Sequence, residues 1–252
     1  MKSLGTACFG FAGYVFFFLV CTVSRLNAQC PNADFSSGTF GTWLGTYGTN
    51  AMVGGCACPC PYQYTGFNQG PLNDPPTDAT TQYNQVICSV AGGNDANLAS
   101  YGAVLPMVWP GGAYSGRIGN MWQAVGSNGN GDGETISYPF SVTATDYYFT
   151  YHYAVVLNDG GHPPGQQPYF NIKVTDSLGG DINCGDFQVD ATQAHTIGGF
   201  DSITSAEIWW KPWSSVLIPL NAYIGQTVTV TFTTRGCYPT QGGGQCAGIH
   251  YA

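Results

Sequence analysis

Apolar and polar positions alternate most clearly near the end of the chain, where Val228, Val230 and Phe232 interleave with Thr227, Thr229, Thr231 and Thr233. A period of two is that of a β-strand with one face buried and one wet, and Val and Thr suit such a half-buried pleat. The preceding run, from Trp209 to Pro219, predicts a second strand, joined to the first through an Asn221-Ala222 turn and Gly225. The same pattern predicts strands near Val104 to Val108, Tyr114 to Ile118, Thr135 to Val142, Tyr147 to Leu157, Tyr169 to Thr175, Phe187 to Val189, Glu207 to Trp210 and Ser215 to Pro219. Each is bounded by turn chemistry, and no long stretch keeps the 3.6-residue apolar period of a helix. So many short strands in series predict an all-β, two-sheet antiparallel sandwich with connections that cross between the sheets.

Toward the start of this pattern, Phe35, Phe40 and Trp43 are predicted core residues of an opening strand. The stretch from Met52 to Asp95 carries Asn73-Asp74-Pro75-Pro76, Gly92-Gly93-Asn94-Asp95 and a cysteine cluster, and predicts a long cross-linked loop region with short strands at most. Before residue 31 the pattern changes character. Lys2 is followed by an apolar run from Phe9 to Val23 and by Leu26-Asn27-Ala28, which reads as an export signal over residues 1–28 with a single sandwich domain over 29–252. The alternative is an uncleaved anchor, since the run approaches the roughly 17 residues of a spanning helix. Gly10 and Gly13 within it and the small-residue site at Ala28 favour cleavage, hence a secreted or surface location with no membrane segment afterwards.

Charge narrows the choice of partner. The 252 residues carry 6 Lys and Arg against 14 Asp and Glu, a formal net charge of −8. Beyond residue 28 the basic side chains are Arg117, Lys173, Lys211 and Arg235, widely scattered, so no basic patch exists to neutralise nucleic-acid phosphates or anionic lipid. A neutral partner such as a polysaccharide or glycan, or a cation, fits this balance. Cysteines at 30, 56, 58, 60, 88, 184, 237 and 246 form an even set in an exported chain, which predicts disulfides. Cys56, Cys58 and Cys60 are spaced more tightly than the ligands of ordinary zinc sites, though a metal remains the alternative for them.

Raw material for catalysis is thin. The glutamates are Glu134 and Glu207, the histidines His152, His162, His195 and His250, and no metal-protease helix motif, nucleophile elbow or phosphate-cradling loop occurs, so a non-catalytic role is expected. Calcium is a candidate ligand at Asn128, Asn130 and Asp132, which place side-chain oxygens at alternate positions before Gly133. The twelfth position of that loop is Pro139 instead of a bidentate Glu, and a Gly/Asn hairpin tip is the competing reading. Sugar binding needs an aromatic face and fixed polar groups. Trp209 and Trp210 point to opposite faces of their strand, which makes Trp210 a candidate platform. The loop from Asn158 to Gln167 supplies Asp159, His162 and Gln167 as candidate polar partners on a rigid scaffold, against the reading that they bond turn backbone.

Three segments taken in order, PMVWPGGAYSGRIGN, ETISYPFSVTATDYYFTYHYAVVLNDGGHPPGQQPYFNIKVTDSLGGDINCGDF and WWKPWSSVLIPLNAYIGQTVTVTFTTRGC, resemble a module of large secreted surface proteins. It is the jelly-roll module near the N-terminus of proteins that carry PKD-type repeats and gliding-motility-associated C-terminal sorting domains. The resemblance covers roughly residues 31–252 and implies a carbohydrate-binding-module-like jelly roll in adhesion or polymer binding. It also implies a Cys184–Cys237 disulfide, a packed Trp213, and neighbouring domains of the same protein as alternative partners. Modules of this kind finish on a Gly-x-x-Tyr-Ala-Tyr-Ile-Asp type strand, and Gly248-Ile249-His250-Tyr251-Ala252 matches its beginning, so further sequence is expected to follow. A purely structural spacer is the rival function.

Overall fold

The structure is a computed structural model and describes residues 30–50, 62–67, 69–70, 72, 85–120, 132–162, 167–237 and 250–252. In chain order its strands are β1 (Leu44–Asn50), β2 (Tyr62–Gly66), β3 (Gln85–Ser89), β4 (Tyr114–Asn120), β5 (Asp132–Ser141), β6 (Tyr148–Asn158), β7 (Tyr169–Thr175), β8 (Asp181–Asp190), β9 (Asp201–Ile203), β10 (Ile208–Pro219), β11 (Thr227–Arg235) and β12 (His250–Tyr251). Two short helices, α1 (Ala96–Ser100) and α2 (Ala191–Ala194), accompany them. One sheet has the order β2-β1-β5-β11-β7-β8 and the other β3-β4-β12-β6-β10-β9, with neighbouring strands antiparallel. The chain is thus an all-β sandwich of two antiparallel sheets, as the alternation predicts.

The alternation in β11 is what buries this sheet: Val228 and Val230 are fully buried while Thr227 and Thr229 are not. On β7, Val174 pairs with Val230, Ile172 with Phe232 and Phe170 with Thr234, and all three β7 side chains are buried. Facing them from the second sheet are Tyr151, Tyr153, Val155 and Leu157 of β6 and Ile218 of β10, which together form the main core. Each such side chain contributes roughly 1.5–3 kcal/mol by leaving water.

The second sheet is covered on its outer face too. Leu98 of α1 and Leu105 pack against Ala154, Val156, Ile208, Trp210 and Tyr251, making a second apolar cluster outside the sheet. That is why the β6 sequence Ala154-Val155-Val156-Leu157 is apolar without alternation: both of its faces are buried. α1 owes its start to Asp95, whose Oδ1 accepts the Leu98 N–H at 2.8 Å.

Several expectations change here. The Val104 to Val108 segment is not a strand; it holds an isolated bridge at Pro106 and belongs to the cover, with Leu105 and Val108 buried. Within the predicted loop region, Gln85–Ser89 is a strand buried along its whole length. Glu207 to Trp210 and Ser215 to Pro219 are one strand, β10, interrupted by an irregularity between Lys211 and Ser214 where Pro212 cannot donate to the ladder.

The Cys184–Cys237 disulfide does not form. Cys184 carries a free, exposed thiol, whereas Cys237 is buried and its sulfur is already in a disulfide. Strand register explains it. Cys184 lies on β8 level with the Val174–Thr175 end of β7, and hence with Thr229 and Val230 of β11, while Cys237 lies beyond the other end of β11. At about 3.3 Å per residue the two are roughly 20 Å apart along the strands, and a disulfide needs Cα atoms within about 7 Å. The export segment 1–28, Cys56, Cys58, Cys60, Cys246, Asn128 and Asn130 lie outside the described residues.

Candidate functional site

The polar loop after β6 folds inward. Asp159 Oδ1 accepts the Gly161 N–H at 2.8 Å and the Gln167 Nε2–H at 2.6 Å, and Gln167 Nε2 also donates to the His162 carbonyl at 2.6 Å. Gln167 is 1 % exposed, so its amide works as an internal strut across the loop. The second oxygen of Asp159 meets His195 Nε2 at 2.9 Å, and the His195 ring stacks on Trp209 with centroids 4.0 Å apart. Asp159, Gln167 and the backbone of His162 are therefore brought together, bonded to one another, and His195 joins them from a distant part of the sequence. The signal for His195 was present: Asp190-Ala191-Thr192-Gln193 is a capping box, with both reciprocal bonds formed, and it starts the short helix α2 that delivers the histidine. Among the described residues Gln167 Oε1 is a buried oxygen with no partner.

Trp210 is not a ligand platform. It is 9 % exposed and lies in the outer cluster under Leu98 and Leu105. The opposite-face argument for Trp209 and Trp210 holds geometrically, but the cover laid over the second sheet removes the wet face that it assumed. Asp132 opens β5 opposite Thr49, and among the described residues no three His, Cys, Asp or Glu side chains gather at a metal-sized site. The two glutamates do not meet either: Glu134 is fully buried in β5 and accepts the Thr234 hydroxyl at 3.0 Å, while Glu207 is exposed in a left-handed turn before β10.

The aromatic surface with ligand-like geometry lies elsewhere, on the outer side of the second sheet. Trp109 stacks on His152 with centroids 4.1 Å apart and planes 8° from parallel, and Trp213 meets Trp109 edge-on at 6.3 Å. His152 stands on β6, about 20 Å along the strand from Asn158. Trp213 sits on the β10 irregularity, which turns it toward the 93–113 cover, where its Nε1 donates to the Pro106 carbonyl at 2.7 Å. Ser215, the cross-strand partner of His152, bonds its Nδ1 at 2.8 Å and fixes the ring. Partial burial lowers the His152 pKa below its ordinary value, so the imidazole is neutral near pH 7.

These rings stand at the mouth of a cleft of about 520 Å³. Its walls are mostly aromatic and apolar, including Phe35, Trp43, Tyr114, Tyr151, Tyr153 and Phe232, and Asp34 is the acidic side chain among them. Hydrogen bonding from Ser36 lowers the Asp34 pKa and keeps it ionised. Sequence reasoning missed Trp109 because the segment around it was read as a strand and then a turn. No family model matches the chain, and no curated protein matches it.

Proposed function

We propose that this chain is a non-catalytic, secreted carbohydrate-binding or adhesive module of a larger surface protein, with a jelly-roll fold. The observation that carries the reading is the aromatic group Trp109, His152 and Trp213 on the outer sheet face, beside an apolar cleft. Flat rings take the apolar side of a pyranose, and the Ser215, Thr150 and His152 polar atoms nearby suit its hydroxyls. A neutral imidazole and a chain of net charge −8 favour an uncharged ligand over a phosphate or an acidic polymer.

The strand order supports the jelly-roll part. The strands β4-β12-β6-β10 in one sheet face β5-β11-β7-β8 in the other, and the chain passes between sheets from β4 to β5, β5 to β6, β6 to β7, β8 to β10, β10 to β11 and β11 to β12. A double Greek key of eight strands would give this order, which supports the jelly-roll reading. The resemblance to modules of PKD-repeat and gliding-motility-associated surface proteins points the same way for location and adhesion. Calcium, through Asn128, Asn130 and Asp132, is proposed as an accessory ion.

A glycan and polysaccharide array, run with calcium and with a chelator, tests the reading. Binding that falls at least about tenfold in Trp109→Ala and Trp213→Ala, with the fold retained, is the expected result for stacking residues. A folded protein that binds nothing in either condition would leave the structural spacer, which the burial of Trp210 and the inward-facing Asp159 loop favour.

A further inference from the structure

Among the described residues, the outer face of the second sheet is covered over only part of its length. The cover reaches Ala154 on β6 and Trp210 on β10, and buries both. Beyond them the two strands continue with a bare outer face. Tyr151 and Ile218 turn inward to the core. By alternation His152, Thr150 and Tyr148 of β6, and their cross-strand partners Ser215, Leu217 and Pro219 of β10, therefore turn outward. All six are exposed, Tyr148 at 57 % and Leu217 at 59 %.

This stripe continues the Trp109, His152 and Trp213 group down the sheet. At about 3.3 Å per residue, Tyr148 stands roughly 13 Å from His152 on the same strand face. Its ring leans on that of Tyr147, with centroids 4.7 Å apart and planes 41° from parallel, and Tyr147 packs in turn against the core. Tyr148 is thus an exposed ring with a fixed support. Between the two aromatic ends lie the Thr150 hydroxyl and the Leu217 side chain, directly opposite each other. Neither 147–158 nor 212–219 contains an Asp, Glu, Lys or Arg. The stripe stands on β6 and β10, which pair with each other along it, and needs neither the cleft nor its walls.

We infer that the ligand is a linear, neutral glycan lying along β6, with Trp109 and His152 at one end and Tyr148 as a second stacking residue at the other, over about four pyranose units. This rests on the glycan reading above, and adds to it the length of the ligand, its direction and a binding residue. The shape of the stripe fits one polymer chain and not a protein. Two strands wide and roughly 20 Å long with the Trp109 group, it offers about 200 Å², whereas a stable protein partner covers about 800 Å² a side. Its chemistry also suits a sugar chain: the flat rings and Leu217 take apolar ring faces, while Thr150 and Ser215 take hydroxyls. A surface without ions costs no charge desolvation when a neutral chain covers it. A disaccharide reaches only one of the two aromatic ends.

The test titrates the purified chain calorimetrically with β-1,4-linked oligomers of glucose, xylose and N-acetylglucosamine, two to six units long. Affinity for the sugar that binds should rise at least about fivefold from two units to four and then level off. Tyr148→Ala should erase that rise, so that every length binds as the two-unit oligomer does, and Tyr148→Phe, which keeps the ring, should retain it. Leu217→Ser is a second variant expected to reduce the rise, and the exposure of both positions keeps the fold intact. Affinity that stops growing at two units, or that grows equally in the wild type, Tyr148→Ala and Leu217→Ser, would overturn the stripe and leave a glycan site confined to Trp109. Absence of binding by every oligomer would overturn the stripe and the glycan reading together.

Discussion

Tyr251 and Asp95 connect β12 to the cover that carries Trp109, and a double-mutant cycle on this pair measures that connection. Both side chains are 4 % exposed. Asp95 Oδ1 caps α1, and its Oδ2 accepts the Tyr251 hydroxyl at 2.7 Å. Burial, and then the neighbouring Asp95, raise the Tyr251 pKa well above its usual value, so the phenol remains a donor at any pH at which the protein is handled. Tyr251→Phe removes the donor and leaves a buried carboxylate oxygen short of a partner, a loss of about 1.5–3 kcal/mol for a hydrogen bond to a charged group. Asp95→Asn keeps a cap acceptor but weakens the bond to Tyr251, at about 1–2 kcal/mol. The double variant should cost less than the two single losses together, with a coupling of about 1–2 kcal/mol. Urea unfolding at pH 7, with unchanged slopes, supplies the numbers. A coupling below about 0.5 kcal/mol would mean that cover and strand are stabilised independently, and the account of how the rim of the cleft is held would be wrong.

Trp210→Ala should destabilise the fold by about 3–5 kcal/mol through the cavity it leaves, whereas Trp109→Ala and Trp213→Ala should lose ligand with less effect on stability; equal unfolding by all three would reject the distinction. Cys184 should react with a thiol reagent in the native protein while the buried Cys88 does not, and Cys184→Ser should change stability by less than about 0.5 kcal/mol; a loss of about 2–4 kcal/mol would restore a structural disulfide at Cys184. For His152, a folded pKa below the unfolded value near 6.5 means that its contribution to stability is fully present above about pH 6.5 and is lost as pH falls through the folded pKa. Proton NMR of its ring should give a midpoint below 6.5, and a higher midpoint would contradict the partial burial under Trp109.

Where strand pattern and burial share one cause, the sequence was readable. β11 and β7 alternate because each has one face against the core, and both were found with nearly their observed limits. β3 was not singled out within a region read as loop with short strands at most, because Gln85-Val86-Ile87-Cys88-Ser89 is buried on both faces and shows no alternation, and a short apolar run without period does not identify its own structure. Val104 to Val108 failed in the opposite direction: Leu105 and Val108 are buried as part of a cover, which local pattern does not separate from a strand. Trp210 fell to the same cause, since the cover that buries it comes from residues more than a hundred positions earlier. The Cys184–Cys237 pairing rested on resemblance, and only the sheet order and register, with β7 between β8 and β11, put the two positions out of reach.

The two polar-aromatic clusters differ in what remains after their internal bonds are counted, and that difference decides which is offered to a ligand. At Asp159 both carboxylate oxygens are engaged, Gln167 Nε2 holds two acceptors and the His195 ring lies on Trp209. Such a network makes a loop rigid and leaves little to bind with. At the outer face, Ser215 holds one nitrogen of His152, and the other has no partner among the described residues although the ring is exposed. Trp109 and Trp213 are half-buried there, and Trp213 is fixed by its bond to Pro106. Rings held in place with a free polar atom between them lose little entropy on binding.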